Sequence, residues 1–139
     1  MTIPEKARQL MQKRKVIALA TSTSDGKPNV VPMLQYWWFG EDELVVGDMY
    51  MKATRRNLEQ NPRASFSVWD EASGESYKYN GSARYETDGD AYEMANEHLQ
   101  KKKPGKKFKG VVIVKVSEVY DAARGEKAGT LIASDTTTS

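Results

Sequence analysis

The chain has 139 residues, a formal net charge of +2 and no cysteine. That length suits one domain able to bury its own core without a staple, and the missing thiols exclude disulfides, iron–sulfur clusters, thiolate zinc sites and cysteine nucleophiles. A single histidine, His98, excludes centres that need several imidazoles, and so small a net charge does not by itself imply nucleic acid.

Residues 1–10 are charged and hold no long apolar run, so neither a secretory signal nor a spanning helix is expected, and the cytoplasm is the expected compartment. Thr2 and Glu5 have capping-box spacing, and Ile3, Ala7, Leu10 and Met11 recur on one face, which predicts a short amphipathic helix. Residues 16–21 form an apolar run before Ser24-Asp25-Gly26-Lys27-Pro28, whose Asp-Gly pair suits a tight reversal between two strands. The second strand, 29–39, ends in Tyr36-Trp37-Trp38-Phe39. Pro32 requires within it an edge, a bulge or a place where backbone pairing is given up. A third strand is expected over 43–49.

Met51, Arg55 and Leu58 share a face of a helix that must stop at Asn61-Pro62. Ala64, Phe66 and Val68 alternate with serines in a half-buried fourth strand. The odd positions Tyr77, Tyr79, Gly81, Ala83 and Tyr85 give a long fifth strand one inward face, with a bend permitted at Gly81. Thr87-Asp88-Gly89-Asp90 offers caps for a helix running to about residue 102, which Pro104-Gly105 ends. Residues 111–116 form a β-branched sixth strand. The stretch 123–139 reads as a polar tail behind a domain of residues 1–122. Six strands with helices at only two connections favour a mainly β, six-stranded antiparallel split barrel with two or three peripheral helices over a ferredoxin-like sandwich.

The segment Gly47-Asp48-Met49-Tyr50-Met51-Lys52-Ala53-Thr54-Arg55-Arg56-Asn57-Leu58 carries the strongest chemical signal. A strand there enters a helix whose first turn combines free amides, a hydroxyl and cations, the elements of a phosphate site. On spacing alone, a capped surface helix with solvated basic residues explains it as well.

Taken together, Val30-Val31-Pro32-Met33-Leu34 after an Asp-Gly turn, Thr54-Arg55-Arg56-Asn57-Leu58 and Asn61-Pro62-Arg63-Ala64 resemble the pyridoxamine 5′-phosphate oxidase-like, FMN-binding split-barrel family, over residues 3–120. The resemblance implies a homodimer with FMN at the subunit interface. It places Pro32, Met33, Leu34 and Gln35 against the flavin, and Asp48, Met49, Lys52, Ala53 and Thr54 along the ring edge, ribityl chain or phosphate. Ala53 departs from the pattern, because relatives carry Lys or Arg directly before the threonine. Lys52 lies about 100° away on the helix, which leaves Arg55 or Arg56 to supply the charge.

The implied activity is oxidoreduction or electron transfer, with a nicotinamide or protein electron donor and no catalytic dyad or triad from the protein. A deazaflavin-dependent reductase on the same barrel is the near alternative, given Ala53. A nucleic-acid- or ligand-binding barrel without catalysis is the more distant one. For the latter the candidates are the lysines of Lys101-Lys102-Lys103-Pro104-Gly105-Lys106-Lys107-Phe108-Lys109 and the tyrosine-bearing fifth strand. A solvated loop explains the lysines, core packing explains the aromatics, and His98 reads as structural.

Overall fold

The computed structural model describes residues 1–135. The elements run α1 (Glu5–Lys13), β1 (Ile17–Ser22), β2 (Pro28–Met33), β3 (Tyr36–Phe39), β4 (Glu43–Asp48), α2 (Ala53–Gln60), β5 (Arg63–Trp69), β6 (Ser76–Glu86), α3 (Asp90–Lys102), β7 (Gly110–Asp121) and β8 (Thr130–Ser134). All strands join one antiparallel sheet in the order β2-β1-β5-β6-β7-β4-β3, with β8 on β7.

The sheet curls around a core fed by β1, β4, β5, β6 and β7 together, with Ala7, Leu10 and Met11 of α1 inside it. Phe66 and Tyr79 stack at its centre, 4.5 Å apart and 11° from parallel, and Trp38 meets both edge-on. Burial raises the Tyr79 hydroxyl far above its usual pKa, so it stays protonated and donates a hydrogen bond to the Ala7 carbonyl at 3.0 Å. Trp38 Nε1 and the Tyr36 hydroxyl donate to the carbonyls of Arg8 and Arg14 at 3.2 and 2.5 Å. Aromatic hydroxyls and an indole thus fasten α1 to the barrel.

A second cluster lies on the opposite side of β4 and β7, where α3 packs Ala91, Tyr92, Ala95 and Leu99 against Val45, Val111 and Ile113. Coverage on both faces explains why these strands read as continuous apolar runs rather than alternating ones.

Among the described residues the sheet has eight strands where six were expected. The predicted strand 29–39 breaks at Leu34-Gln35 into β2 and β3, which become the two ends of the sheet's pairing path. Pro32 therefore sits on an edge strand paired only to β1, as its missing N–H demands. Among the described residues no ladder joins β2 to β3; the Gly47 amide donating to the Gln35 carbonyl at 2.9 Å is the backbone link there.

The second added strand, β8, lies inside the predicted tail; residues 136–139 of that tail fall outside the described ones. It forms because β7 outruns β4, and residues Glu118 to Asp121 present a free flank that β8 pairs with. The register of β6 on β7 shifts at Asn80/Gly81. A Cβ at Gly81 would stand 2.1 Å from the Lys115 carbonyl oxygen, so only glycine allows that approach.

Two predicted caps are absent. Pro4 and Gly89 occupy the N-cap positions of α1 and α3 without a side-chain cap. The Thr2–Glu5 box is bypassed by a proline preset for helix entry, and neither Thr87 nor Asp88 caps α3. No helix among the described residues is long and apolar enough to cross a membrane.

Candidate functional site

β4 ends at Asp48, whose side chain is fully buried at the turn into α2. Its Oδ1 accepts the Met51 amide at 2.7 Å, its Oδ2 accepts the Tyr85 hydroxyl, and its carbonyl accepts the Lys109 amide at 2.9 Å. Burial first, and the Asp48 carboxylate second, push the Tyr85 hydroxyl well above its usual pKa, against the opposing Arg55. The Arg55 guanidinium lies 4.4 Å from the Tyr85 ring centre and 4.0 Å from Glu59. A Cβ at Gly110 would come within 2.5 Å of the Tyr85 ring, so the phenol is held by a close backbone. Asp48 is thus a latch between β4, α2, β6 and the lysine loop.

α2 begins beyond this latch with Lys52 at its N-cap position and no side-chain cap. Thr54 does not cap it either. Its hydroxyl is buried and accepts a long contact from Asn29 Nδ2 at 3.4 Å, at the start of β2. Asn57 and Asn61 donate to Thr21 Oγ1 and Ser22 Oγ, each at 3.0 Å. The inner face of α2 is therefore spent on β1 and β2, and its basic residues are turned outward. Lys52 and Arg56 are exposed, with no side-chain partner among the described residues. Four positions apart, they share one helical face beside the uncapped amides. Ala53 is half-buried and adds no charge.

The other predicted segment lies along the edge of the sheet. Strand alternation turns Val31 and Met33 inward against the core and leaves Val30, Pro32 and Leu34 outward, with Val30 65 % and Leu34 64 % exposed. Met49 packs against the second cluster. The structure thus joins the two segments at Asn29–Thr54 and at Gln35–Gly47, while Met33 and Met49 belong to packing and Asp48 to the latch. Asn29 and Tyr85 complete this neighbourhood and carried no local signal: one reads as a polar strand start, the other as an inward strand position.

The lysine loop is ordered by its polar neighbours. Phe108 plugs the second cluster, its amide donates to Asn96 Oδ1 at 2.9 Å, and its carbonyl accepts the Tyr92 hydroxyl at 2.8 Å. The Gln100 side chain bridges Gly105 and Lys106. His98 stacks on Trp37, 4.9 Å away and 8° from parallel. Two sizeable cavities open on the surface. One of about 880 Å³ lies over β1, β5, β6 and β7 and touches none of the predicted site residues. The other, about 760 Å³, touches Leu34 and Gln35.

Comparison with known proteins agrees with this architecture. The chain is 31 % identical over 122 residues to the uncharacterized protein MJ0282 of Methanocaldococcus jannaschii, covering 86 % of this chain and 81 % of that one. In fold it is similar to HupZ of Group A Streptococcus, with a TM-score of 0.79, 23 % identity and coverage of 92 % and 100 %. It is also similar to an FMN-binding protein of Syntrophomonas wolfei, with a TM-score of 0.74, 14 % identity and coverage of 88 % and 87 %. An F420 reductase and HutZ, the haem storage protein of Vibrio cholerae, share the fold at TM-scores of 0.64 and 0.66. Residues 3–123 match the pyridoxamine 5′-phosphate oxidase family, and with the curled, split sheet in place the chain belongs to that family.

Proposed function

We propose that the protein is an FMN-binding flavoprotein serving oxidoreduction or electron transfer in the cytoplasm, and that it works as a homodimer with the cofactor at the subunit interface. The observation that carries this reading is the head of α2, where uncapped amides stand beside two unpartnered cations on one face, Lys52 and Arg56. Those residues fit a phosphate monoester: amides supply directed donors at the positive helix end, and the cations supply charge that Ala53 does not. The outward stripe Val30, Pro32 and Leu34 fits the remainder, an apolar face on an unpaired edge that a flat ring and a second subunit would cover together.

Bound FMN would supply the redox chemistry itself. The chain's residues bind and orient. Asp48, fixed by Met51 and Tyr85, sets where the helix starts. Asn29 and Thr54 hold β2 against the same turn.

A deazaflavin cofactor is the second reading, favoured by Ala53, since the position before Thr54 lacks the basic side chain expected for FMN. An absorbance spectrum of purified protein, with the mass of the ligand released on denaturation, tests both. Flavin bands and the mass of FMN are expected. Protein that arrives colourless and refuses added FMN would contradict the assignment, and a deazaflavin mass would select the second reading. Molar mass in solution should be that of two chains.

A further inference from the structure

The 760 Å³ cleft lies between the last turn of α1, the unpaired edge of β3 and the last turn of α3. Its size is that of a small-molecule site, and its lining is unusual in three respects. No Asp or Glu is among the described residues that line it, whereas five Lys and Arg side chains are.

Two of the five are already engaged. Arg8 donates to the Gly40 and Glu41 carbonyls, and Arg14 pairs with Asp70 and Glu71. Lys13, Lys15 and Lys102 are exposed and have no side-chain partner among the described residues. Helix-dipole compensation explains Lys13 and Lys102, which stand in the last turns of α1 and α3. It does not explain Lys15, which follows α1.

The wall between the cations is aromatic, made by Tyr36, Trp37 and Trp38, with His98 stacked on Trp37. Finally, Gln35 lines the cleft with its Oε1 buried and unpartnered, the one such buried side-chain atom among the described residues. Leaving a buried acceptor unmade is costly. Phosphate oxygens cannot relieve it because they only accept; a ring-bound amine or carboxamide can.

We propose that this cleft is a nucleotide site, taking a planar nitrogen heterocycle that bears an N–H donor and one or more phosphates. The phosphates lie against Lys13, Lys15 and Lys102, the ring against the aromatic wall, and the donor meets Gln35 Oε1 once that side chain turns toward the cleft. The cleft reaches Leu34, which follows β2 and continues its outward stripe, so the nucleotide and the proposed flavin occupy adjoining places. Nucleotide binding itself does not require the flavin.

The test is calorimetric titration of the full chain, with FMN present at saturation to fill the site at the head of α2, with NADP⁺, ATP and inorganic pyrophosphate at low salt. At least one nucleotide should bind with an affinity at least about tenfold above pyrophosphate. Lys13→Glu with Lys102→Glu should weaken nucleotide and pyrophosphate alike by at least about tenfold. Gln35→Leu should weaken the nucleotide and leave pyrophosphate unchanged. The lysine variants should keep the wild-type melting temperature and FMN affinity, which separates failure here from failure of the flavin assignment. No heat with either nucleotide up to about 1 mM, or pyrophosphate binding as tightly as the nucleotides, would overturn the proposal. So would competition between the nucleotide and FMN, or tighter binding of a single-stranded oligonucleotide.

Discussion

The corner between β4 and α2 and the break between β2 and β3 touch through the Gly47–Gln35 bond, yet they are built on opposite terms. At the corner both oxygens of buried Asp48 are used, Thr54 and Asn57 are paired, and Tyr85 is packed between Arg55 and Gly110. At the break a valine and a leucine are mostly in water, and Gln35 keeps a buried acceptor with no donor. Satisfied polar networks are rigid and specify one arrangement. Unsatisfied ones carry a cost that a bound partner can relieve. The difference teaches that one region is fixed by its own contacts while the other leaves apolar surface in water and an acceptor unmade.

The comparison is broken most forcefully by Asp48→Ala. Removing this carboxylate orphans the Met51 amide and the Tyr85 hydroxyl in a buried place, and should lower unfolding free energy by about 2–4 kcal/mol in denaturant titration. A loss below about 1 kcal/mol would mean that the latch is not structural.

On the opposite side, Gln35→Met should raise stability by about 1 kcal/mol, since it removes an unpaired buried acceptor at similar volume. A destabilised variant would show that the acceptor has a partner in solution. Leu34→Asp sharpens the contrast further. Monomer stability should change by less than about 0.5 kcal/mol because the side chain is exposed, while dimer formation, followed by sedimentation, should weaken markedly.

The smallest effect belongs to a three-membered charge cluster outside both regions. Burial alone would raise the Asp42 carboxyl, but the Met1 ammonium and Lys115, each 3.0 Å away, outweigh it and bring its pKa below the usual value. A carboxylate depressed in the fold stabilises above its unfolded pKa, near about 3.9, and loses that contribution as pH falls through the lower folded value. With its lysine partner largely in water, Asp42→Asn should cost only about 0.5 kcal/mol at neutral pH. The difference from wild type should vanish in strong acid.

How far the sequence could reveal these regions follows from range. The alternation of Ala64, Phe66 and Val68 names β5 because each inward residue is apolar and each neighbour polar. β8 escaped because Leu131 and Ile132 are exposed and its reason for existing is the free flank of β7, a tertiary fact. The β2–β3 break is invisible in the run from Val30 to Phe39, where the two end strands of the sheet share one largely apolar composition. The basic head of α2 was legible as a local cluster. Its latch was not, since Asp48 and Tyr85 stand 37 residues apart, as Asn29 and Thr54 stand 25 apart, and no local pattern links such pairs.

The central claim, that the head of α2 grips a phosphate monoester, is tested most directly by the ratio of FMN to riboflavin affinity in wild type and in Lys52→Ala with Arg56→Ala. The account predicts that FMN binds at least about 100-fold more tightly than riboflavin in wild type and only a few-fold more tightly in the variant. Equal affinity for the two ligands in wild type, or a ratio that survives loss of both cations, would contradict it.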